Sequence, residues 1–221
     1  MIIGNGLIAN SLRNIDSEDN LFFASGVSNS LETKNSEFER EFSLLKNTLE
    51  KYDSKFIYFS TVSVNDQSKQ DSLYILHKLK MENYIKDNSK NHLILRVGNI
   101  VGKGGNPNTL FNYLRTQIIN DHKFNVHSHA RRLLIDMDDI HRFLAEICPS
   151  LKNKTINYAF PYYYNLQEII EAIEKKVNKK AIYDKVNEGD FYQVSFEDSV
   201  NRFFSDINPD DYIKSLVEKY I

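Results

Sequence analysis

A chain of 221 residues with one cysteine, Cys148, cannot carry an internal disulfide framework or a multi-cysteine metal site, which is the usage expected in a reducing cytoplasm. Cys148 closes an apolar periodic stretch, where a thiol serves as a packing residue rather than a nucleophile. Charge of one sign is also lacking. The formal net charge of −2 offers neither a basic nucleic-acid footprint nor an acidic tail, so the default partner is a small molecule. No run is long and apolar enough to span a bilayer, and Met1-Ile2-Ile3-Gly4 lacks the basic-then-apolar pattern of a signal peptide. The expectation is a soluble cytoplasmic protein without membrane or nucleic-acid partners. No repeat or low-complexity linker interrupts the chain. His127-x-His129 is the one spacing that suggests a metal pair, and with no third ligand in view no metal is expected.

What the chain does contain is a regular alternation. Met1 to Ile3, Leu21 to Ala24, Phe56 to Phe59 and His92 to Val97 are short apolar runs of strand length. Helical periodicity separates them over Glu37 to Tyr52, with Phe38, Phe42, Leu45 and Leu49 on one stripe and charges elsewhere, and over Leu73 to Ile85. This predicts an α/β chain with a Rossmann-like parallel sheet and helices on both faces. Further helices are expected over Thr109 to Asn120, Met137 to Ile147, from Leu166, over Glu197 to Phe204 and over Pro209 to Tyr220. Strands are expected at Phe124 to His127, Leu133 to Ile135, Thr155 to Ala159 and Ala181 to Tyr183, and a loop at Pro161 to Tyr164. The predicted division is a core over 1–150 and a small C-terminal region over 151–221.

Two motifs carry chemistry. Gly4-Asn5-Gly6-Leu7-Ile8-Ala9 is G-x-G-x-x-A between a short strand and a helix, where glycines allow a tight turn and close approach of a diphosphate. Tyr74 and Lys78, four residues apart, share a helix face just beyond a strand that ends in Ser60, Thr61 and Ser63. About one Tyr-x-x-x-Lys is expected by chance in such a composition, so position rather than the match gives the pair weight. A nearby ammonium favours the phenolate, which makes Tyr74 a candidate acid/base.

Together these motifs resemble the extended short-chain dehydrogenase/reductase family, specifically its nucleotide-sugar epimerases and dehydratases. Ser60-Thr61-Val62-Ser63-Val64 is similar to the family's S-[ST]-x-x-V, and Leu95-Arg96-Val97-Gly98-Asn99-Ile100-Val101-Gly102 to its L-R-x-x-N-x-x-G. Arg132 to Asp139 resembles R-x-x-I-x-V-x-D, and Ile156-Asn157-Tyr158 with the Leu166 helix resembles the opening of its substrate region. The resemblance implies that Thr61 holds the reacting sugar oxygen, Tyr74 exchanges the proton, and Lys78 holds the nicotinamide ribose. It implies NAD or NADP held by Gly4, Asn5, Gly6, Leu7, Ile8, Ser25, Gly26, Ser60 and Lys78. A nucleotide-sugar substrate would be held by Ser63, Asn99 and Arg132, whose guanidinium suits a diphosphate. It also implies a homodimer through the helices of Glu37 to Tyr52 and Leu73 to Ile85.

The departures from the family narrow this reading. Only a polar turn links the glycines to the next strand. The most economical match of Leu21 to Ala24 is therefore to the family's fourth strand, with the second and third strand-helix units missing; the rival is its second strand, and neither alignment offers the acid that grips the adenosine ribose. Val62-Ser63 stands where dehydratases carry Asp-Glu, which disfavours dehydration. Asn187-Glu188-Gly189-Asp190 resembles R-x-G-D with the phosphate-binding arginine replaced. The segment from Thr61 to Tyr74 is short, which should leave the site more open. The expected function is an NAD(P)-dependent epimerase or ketoreductase of a nucleotide-linked sugar in bacterial surface-polysaccharide synthesis. The alternative is a cofactor-poor binding or assembly subunit.

Overall fold

The structure, a computed structural model, describes residues 1–189 and 191–221. Asp190, the last residue of the Asn187-Glu188-Gly189-Asp190 segment, lies outside the described residues. In chain order the elements are β1 (Ile2–Ile3), α1 (Leu7–Ser11), β2 (Asn20–Phe23), α2 (Asn35–Lys51), β3 (Lys55–Thr61), α3 (Leu73–Asn88), β4 (His92–Val97), β5 (Asn99–Val101) and α4 (Leu110–Ile119). They continue as β6 (Phe124–His127), β7 (Arg131–Asp136), α5 (Met137–Ile147), β8 (Lys154–Tyr158), β9 (Tyr163–Asn165), α6 (Leu166–Val177), β10 (Tyr183–Val186), α7 (Asp198–Phe203) and α8 (Pro209–Tyr220).

Alternation along the strands assigns the two faces of the main sheet. Leu21, Phe23, Phe56, Tyr58 and Ile94 pack under Leu45 of α2 and Met81 and Ile85 of α3. Their neighbours Phe22, Ile57, Phe59, Leu93 and Leu95 point the other way, into the larger core built with Phe111 of α4, Ile140 and Phe143 of α5, and Ile169 of α6. A sheet covered on both faces needs apolar residues at every position, which is why these strands read as continuous apolar runs.

Five strands form that sheet in the order β1-β2-β3-β4-β8, all parallel. β2 lies between β1 and β3, with Ile2 opposite Phe22 and Leu21 opposite Phe56. Leu21 to Phe23 therefore stands where the resembled family has its fourth strand, and the sheet ends at the two-residue β1. The two strand-helix units that would extend it are absent. The connection after β1 packs on the α5 face through Leu12, whereas α2 follows β2 on the opposite face. The carboxyl ends of β1 and β2 thus open into a crevice between diverging connections.

Some elements differ from the sequence expectation. β8, which follows residue 150, is the edge strand of the main sheet beside β4. Tyr163–Asn165, whose first two residues were expected in a loop, pairs antiparallel with β7, and Asn99–Val101 pairs parallel with it, making a second sheet β5-β7-β9. The strand expected at Ala181 begins at Tyr183 and pairs with β6. α6 opens with a capping box in which Asn165 and Glu168 satisfy each other's backbone amides. α8 is tied to the N-terminus of α5, where the Tyr212 hydroxyl donates to Asp139 at 2.8 Å and accepts from the Asp136 amide at 2.8 Å.

Between α3 and β4 lies a buried ion pair. Glu82 is fully buried and takes two hydrogen bonds from Arg96 Nε and one from its Nη2 at 2.6 Å. Its Oε1 also accepts the Ser60 hydroxyl at 2.6 Å. Removing one partner of such a pair leaves the other uncompensated, so Glu82→Ala is expected to lower stability by about 3 kcal/mol, read from a urea transition.

Candidate active site

The glycine turn leaves β1 with Gly4 at φ +129°, a conformation L residues rarely adopt, and an added Cβ there would lie 2.5 Å from the Ala24 carbonyl oxygen. That contact holds the ends of β1 and β2 together. Gly4→Ala is therefore expected to cost about 2 kcal/mol or more, visible as a lowered melting temperature. Gly6 is different. A Cβ there meets nothing within 4 Å, so the turn has open space on that side. α1 runs only from Leu7 to Ser11, one turn and a half, with Asn5 exposed before it. The Leu7 side chain packs beneath Gly102 and Gly105 of the loop after β5, and Ile8 packs against the larger core.

At the carboxyl end of β3, Thr61 accepts a hydrogen bond from the Ser63 amide at 3.2 Å, and its hydroxyl is close enough to the Tyr74 phenol to lower the phenol's pKa. Lys78 lies one turn further along α3, its ammonium 5.8 Å from the centre of the Tyr74 ring. The structure thus brings Thr61, Ser63, Tyr74 and Lys78 together. It does not leave Lys78 free. Nζ donates to Glu41 Oε1 at 3.2 Å and to the Tyr58 hydroxyl at 3.1 Å, and the residue is 3% exposed.

Glu41 is the centre of this network. It lies in α2 on the buried face with Phe38, Leu45 and Thr48, so the expectation that charges avoid that stripe is corrected. Its Oε2 accepts the Val27 amide at 2.7 Å and pairs with His77 Nε2 at 3.0 Å, and Oε1 accepts the Tyr58 hydroxyl at 3.1 Å. Burial opposes its ionisation, but the Lys78 ammonium, the His77 hydrogen bond and the Val27 amide outweigh that and bring its pKa down to about 2. Tyr74 shifts the other way. Burial pushes the phenol up, the Lys78 charge pulls it down, the Glu41 carboxylate pushes it up again, and the Thr61 hydrogen bond lowers it, with a net rise above the ordinary tyrosine value. The expected tilt toward phenolate is therefore corrected: the side chain is a protonated phenol at neutral pH, equipped to donate.

The remaining expected site residues are dispersed. Ser60, expected near a cofactor, gives its hydroxyl to Glu82 under α3 because alternation turns it to the face opposite Thr61. Asn99 spends its amide on the Leu133 carbonyl at 3.1 Å. Ser25 and Gly26 lie at the end of β2, and an added Cβ on Gly26 would come within 2.9 Å of Lys78 Nζ. Arg132 is partly buried, which lowers its pKa, while Tyr192 and Asp66 favour its charge. It lines a cleft of about 530 Å³ with Tyr113, Lys123, Phe124, His127 and Leu166. Tyr192 lies between the two regions, its hydroxyl 3.4 Å from Ser63 Oγ and near enough to Arg132 for the guanidinium charge to act on it. Its strand-free segment is pinned over the site by Val194 N to the Tyr163 hydroxyl at 2.7 Å and Asn157 Nδ2 to the Ser195 carbonyl at 3.0 Å.

Sequence reasoning missed Glu41, His77, Tyr58 and Tyr192. Glu41 had a signal, an acid three residues after Phe38 and four before Leu45 on an apolar stripe. Tyr192 had none, since its place depends on how the segment after β10 crosses the sheet.

Among the described residues no cluster of three metal-ligating side chains occurs and no helix is long and apolar enough to cross a membrane.

A five-stranded parallel sheet with helices on both faces and a glycine turn after β1 is a Rossmann-like architecture. Within it, the fold is that of nucleotide-sugar epimerases. The chain is similar to the UDP-N-acetylglucosamine 4-epimerase of Methanobrevibacter ruminantium, solved with UDP-N-acetylmuramic acid, at TM-score 0.73 and 16% identity over 99% of this chain and 81% of that one. It is similar to the UDP-glucuronic acid 4-epimerase of Bacillus cereus, solved with UDP-glucuronic acid and NAD, at TM-score 0.68 and 19% identity over 91% and 73% of the two chains. The UDP-glucose 4-epimerase of Thermus thermophilus, solved with NAD, matches at TM-score 0.69 and 14% identity over 91% and 77%. No protein-family model matches the chain, and no curated protein matches it in sequence. At these identities the likeness is one of fold.

Proposed function

We propose that the chain is an NAD(P)-dependent epimerase or ketoreductase acting on a nucleotide-linked sugar. The observation that carries this reading is the meeting of Thr61 and Tyr74 beside Lys78 at the carboxyl edge of the sheet. Gly4 to Ile8, Ser25, Gly26 and Lys78 are the residues that would hold the dinucleotide, which when bound supplies the hydride acceptor and donor. The open side of Gly6 fits its diphosphate, and the shared helix face of Tyr74 and Lys78 its nicotinamide half. The adenosine half has no such platform, because the sheet ends at β1.

The chain's own residues then divide the work. Thr61 holds the reacting sugar oxygen by its hydroxyl, and Tyr74 donates its proton to that oxygen as negative charge develops there. The tyrosinate left behind is stabilised by the Lys78 ammonium and regains its proton from solvent after a reduction, or from the sugar hydroxyl in the oxidative half of an epimerisation. Arg132, with Lys123 at the same cleft, balances the charge of the substrate's diphosphate. Arg132→Gln is expected to weaken binding of a UDP-sugar by about tenfold or more in calorimetry, with the fold unchanged. Equal affinity in the folded variant would remove Arg132 from the site.

One observation favours a second reading, a binding or assembly subunit without redox chemistry. Lys78 is enclosed by Glu41, Tyr58 and the Gly26 backbone. Micromolar binding of NAD or NADP would exclude that reading, and no binding of either at millimolar concentration would favour it.

A further inference from the structure

We propose that Glu41 is the positioning residue of this site, a buried carboxylate that clamps the turn after β2 down onto Lys78 and so makes that turn a movable roof. The idea rests on the role given to Lys78 above and adds a residue from α2 to it. Floor and roof are joined through one side chain. Oε1 takes the Lys78 ammonium at 3.2 Å and the Tyr58 hydroxyl at 3.1 Å, and Oε2 takes the Val27 amide of the turn at 2.7 Å. His77, packed at a tilt against Phe38 with ring centres 4.8 Å apart, holds Oε2 from the side at 3.0 Å and fixes the carboxylate's orientation.

The clamp is tight because the roof has no side chain. A Cβ at Gly26 would stand 2.9 Å from Lys78 Nζ and 3.2 Å from Glu41 Oε1, so only glycine lets the backbone close over the pair. With the roof closed, Lys78 keeps 3% of its surface. Hydroxyl groups of a bound ligand therefore reach its ammonium when the Ser25 to Val27 turn lifts and the Val27 amide leaves Glu41. Besides the buried Val27 side chain, that hydrogen bond is what ties the turn down among the described residues. The turn carries no regular secondary structure, and the residues that follow, from Ser28 to Lys34, are bonded mainly to one another. A segment tied by one hydrogen bond to a rigid floor is what local opening uses.

The test uses the ligand-free protein, so it stands apart from any failure of the catalytic reading. Two local probes are read in wild type and Glu41→Gln: hydrogen exchange of the Val27 amide, and acylation of Lys78 by acetic anhydride quantified by mass spectrometry. Both are expected to rise by about tenfold or more in the variant, while amides in the middle of α2 and α3 keep their protection. Glu41→Asp, one methylene shorter, should recover part of both effects. Gly26→Ala approaches the same contact from the roof and should raise Lys78 acylation with Glu41 in place, which keeps the test available if Glu41→Gln does not fold. Unchanged Val27 exchange and Lys78 acylation in folded variants would overturn the proposal. So would a rise spread evenly over all helices, since that marks loss of global stability rather than release of a clamp.

Discussion

Tyr74→Phe is expected to lower turnover of a sugar nucleotide by about 10² or more while leaving the fold and the melting temperature nearly unchanged. The substitution removes one oxygen from a half-buried ring beside Thr61 and Lys78 and keeps the ring's packing. The loss should appear in kcat rather than KM, because proton transfer to the sugar oxygen is needed in the transition state and not for binding. The raised pKa of Tyr74 sets the direction of the pH effect. The phenol is the competent form for reduction, so activity in the reductive direction should persist through neutral pH and decline only in alkali as the phenol ionises. A Phe variant with wild-type turnover would show that another group moves the proton.

Glu41→Ala is expected to be the most damaging single change for stability, at about 3–5 kcal/mol, because it strands the Lys78 ammonium in a site with little water and leaves the Val27 amide and Tyr58 hydroxyl without their acceptor. A urea melt measures it. The same carboxylate gives the fold an acid dependence whose sign follows from its lowered pKa. With a folded value of about 2 against an ordinary 4.5, ionised Glu41 contributes about 3 kcal/mol of stability above pH 4.5, lost as pH falls toward 2. Glu41→Gln should therefore show a smaller loss of stability across that window than wild type. An equal acid dependence in the two proteins would mean that other carboxylates dominate it.

Much of the architecture was legible because its causes are local. The strand runs are apolar at every position since both sheet faces are covered, and the helix expected from Leu166 is α6. β9 and β5 were not legible: Tyr163 to Asn165 and Asn99 to Val101 are too short to show a period, and they become strands only because β7 lies beside them. In the site, the Tyr74 and Lys78 pair could be read because helical spacing puts them on one face. The direction of the Tyr74 shift could not, since it depends on burial and on an acid from a different helix. Ser60 shows the limit of motif transfer most clearly. Its place in the strand end matched, but alternation sent its hydroxyl to Glu82. The assignment of Leu21 to Phe23 to the fourth strand was the more economical reading of the sequence, and the place of β2 between β1 and β3 agrees with it.

The central claim, proton and hydride exchange at Thr61, Tyr74 and Lys78, is tested most directly by incubating the purified protein with NADH or NADPH and 4-keto sugar nucleotides, and with NAD or NADP and the 4-hydroxy forms, while following nicotinamide absorbance and the product by NMR. An absorbance change or a new C4 epimer, lost in Tyr74→Phe, is the predicted result. Neither signal with any cofactor and sugar pair, from a folded protein that binds the sugar nucleotide, would contradict it and leave the chain a binding subunit on an epimerase fold.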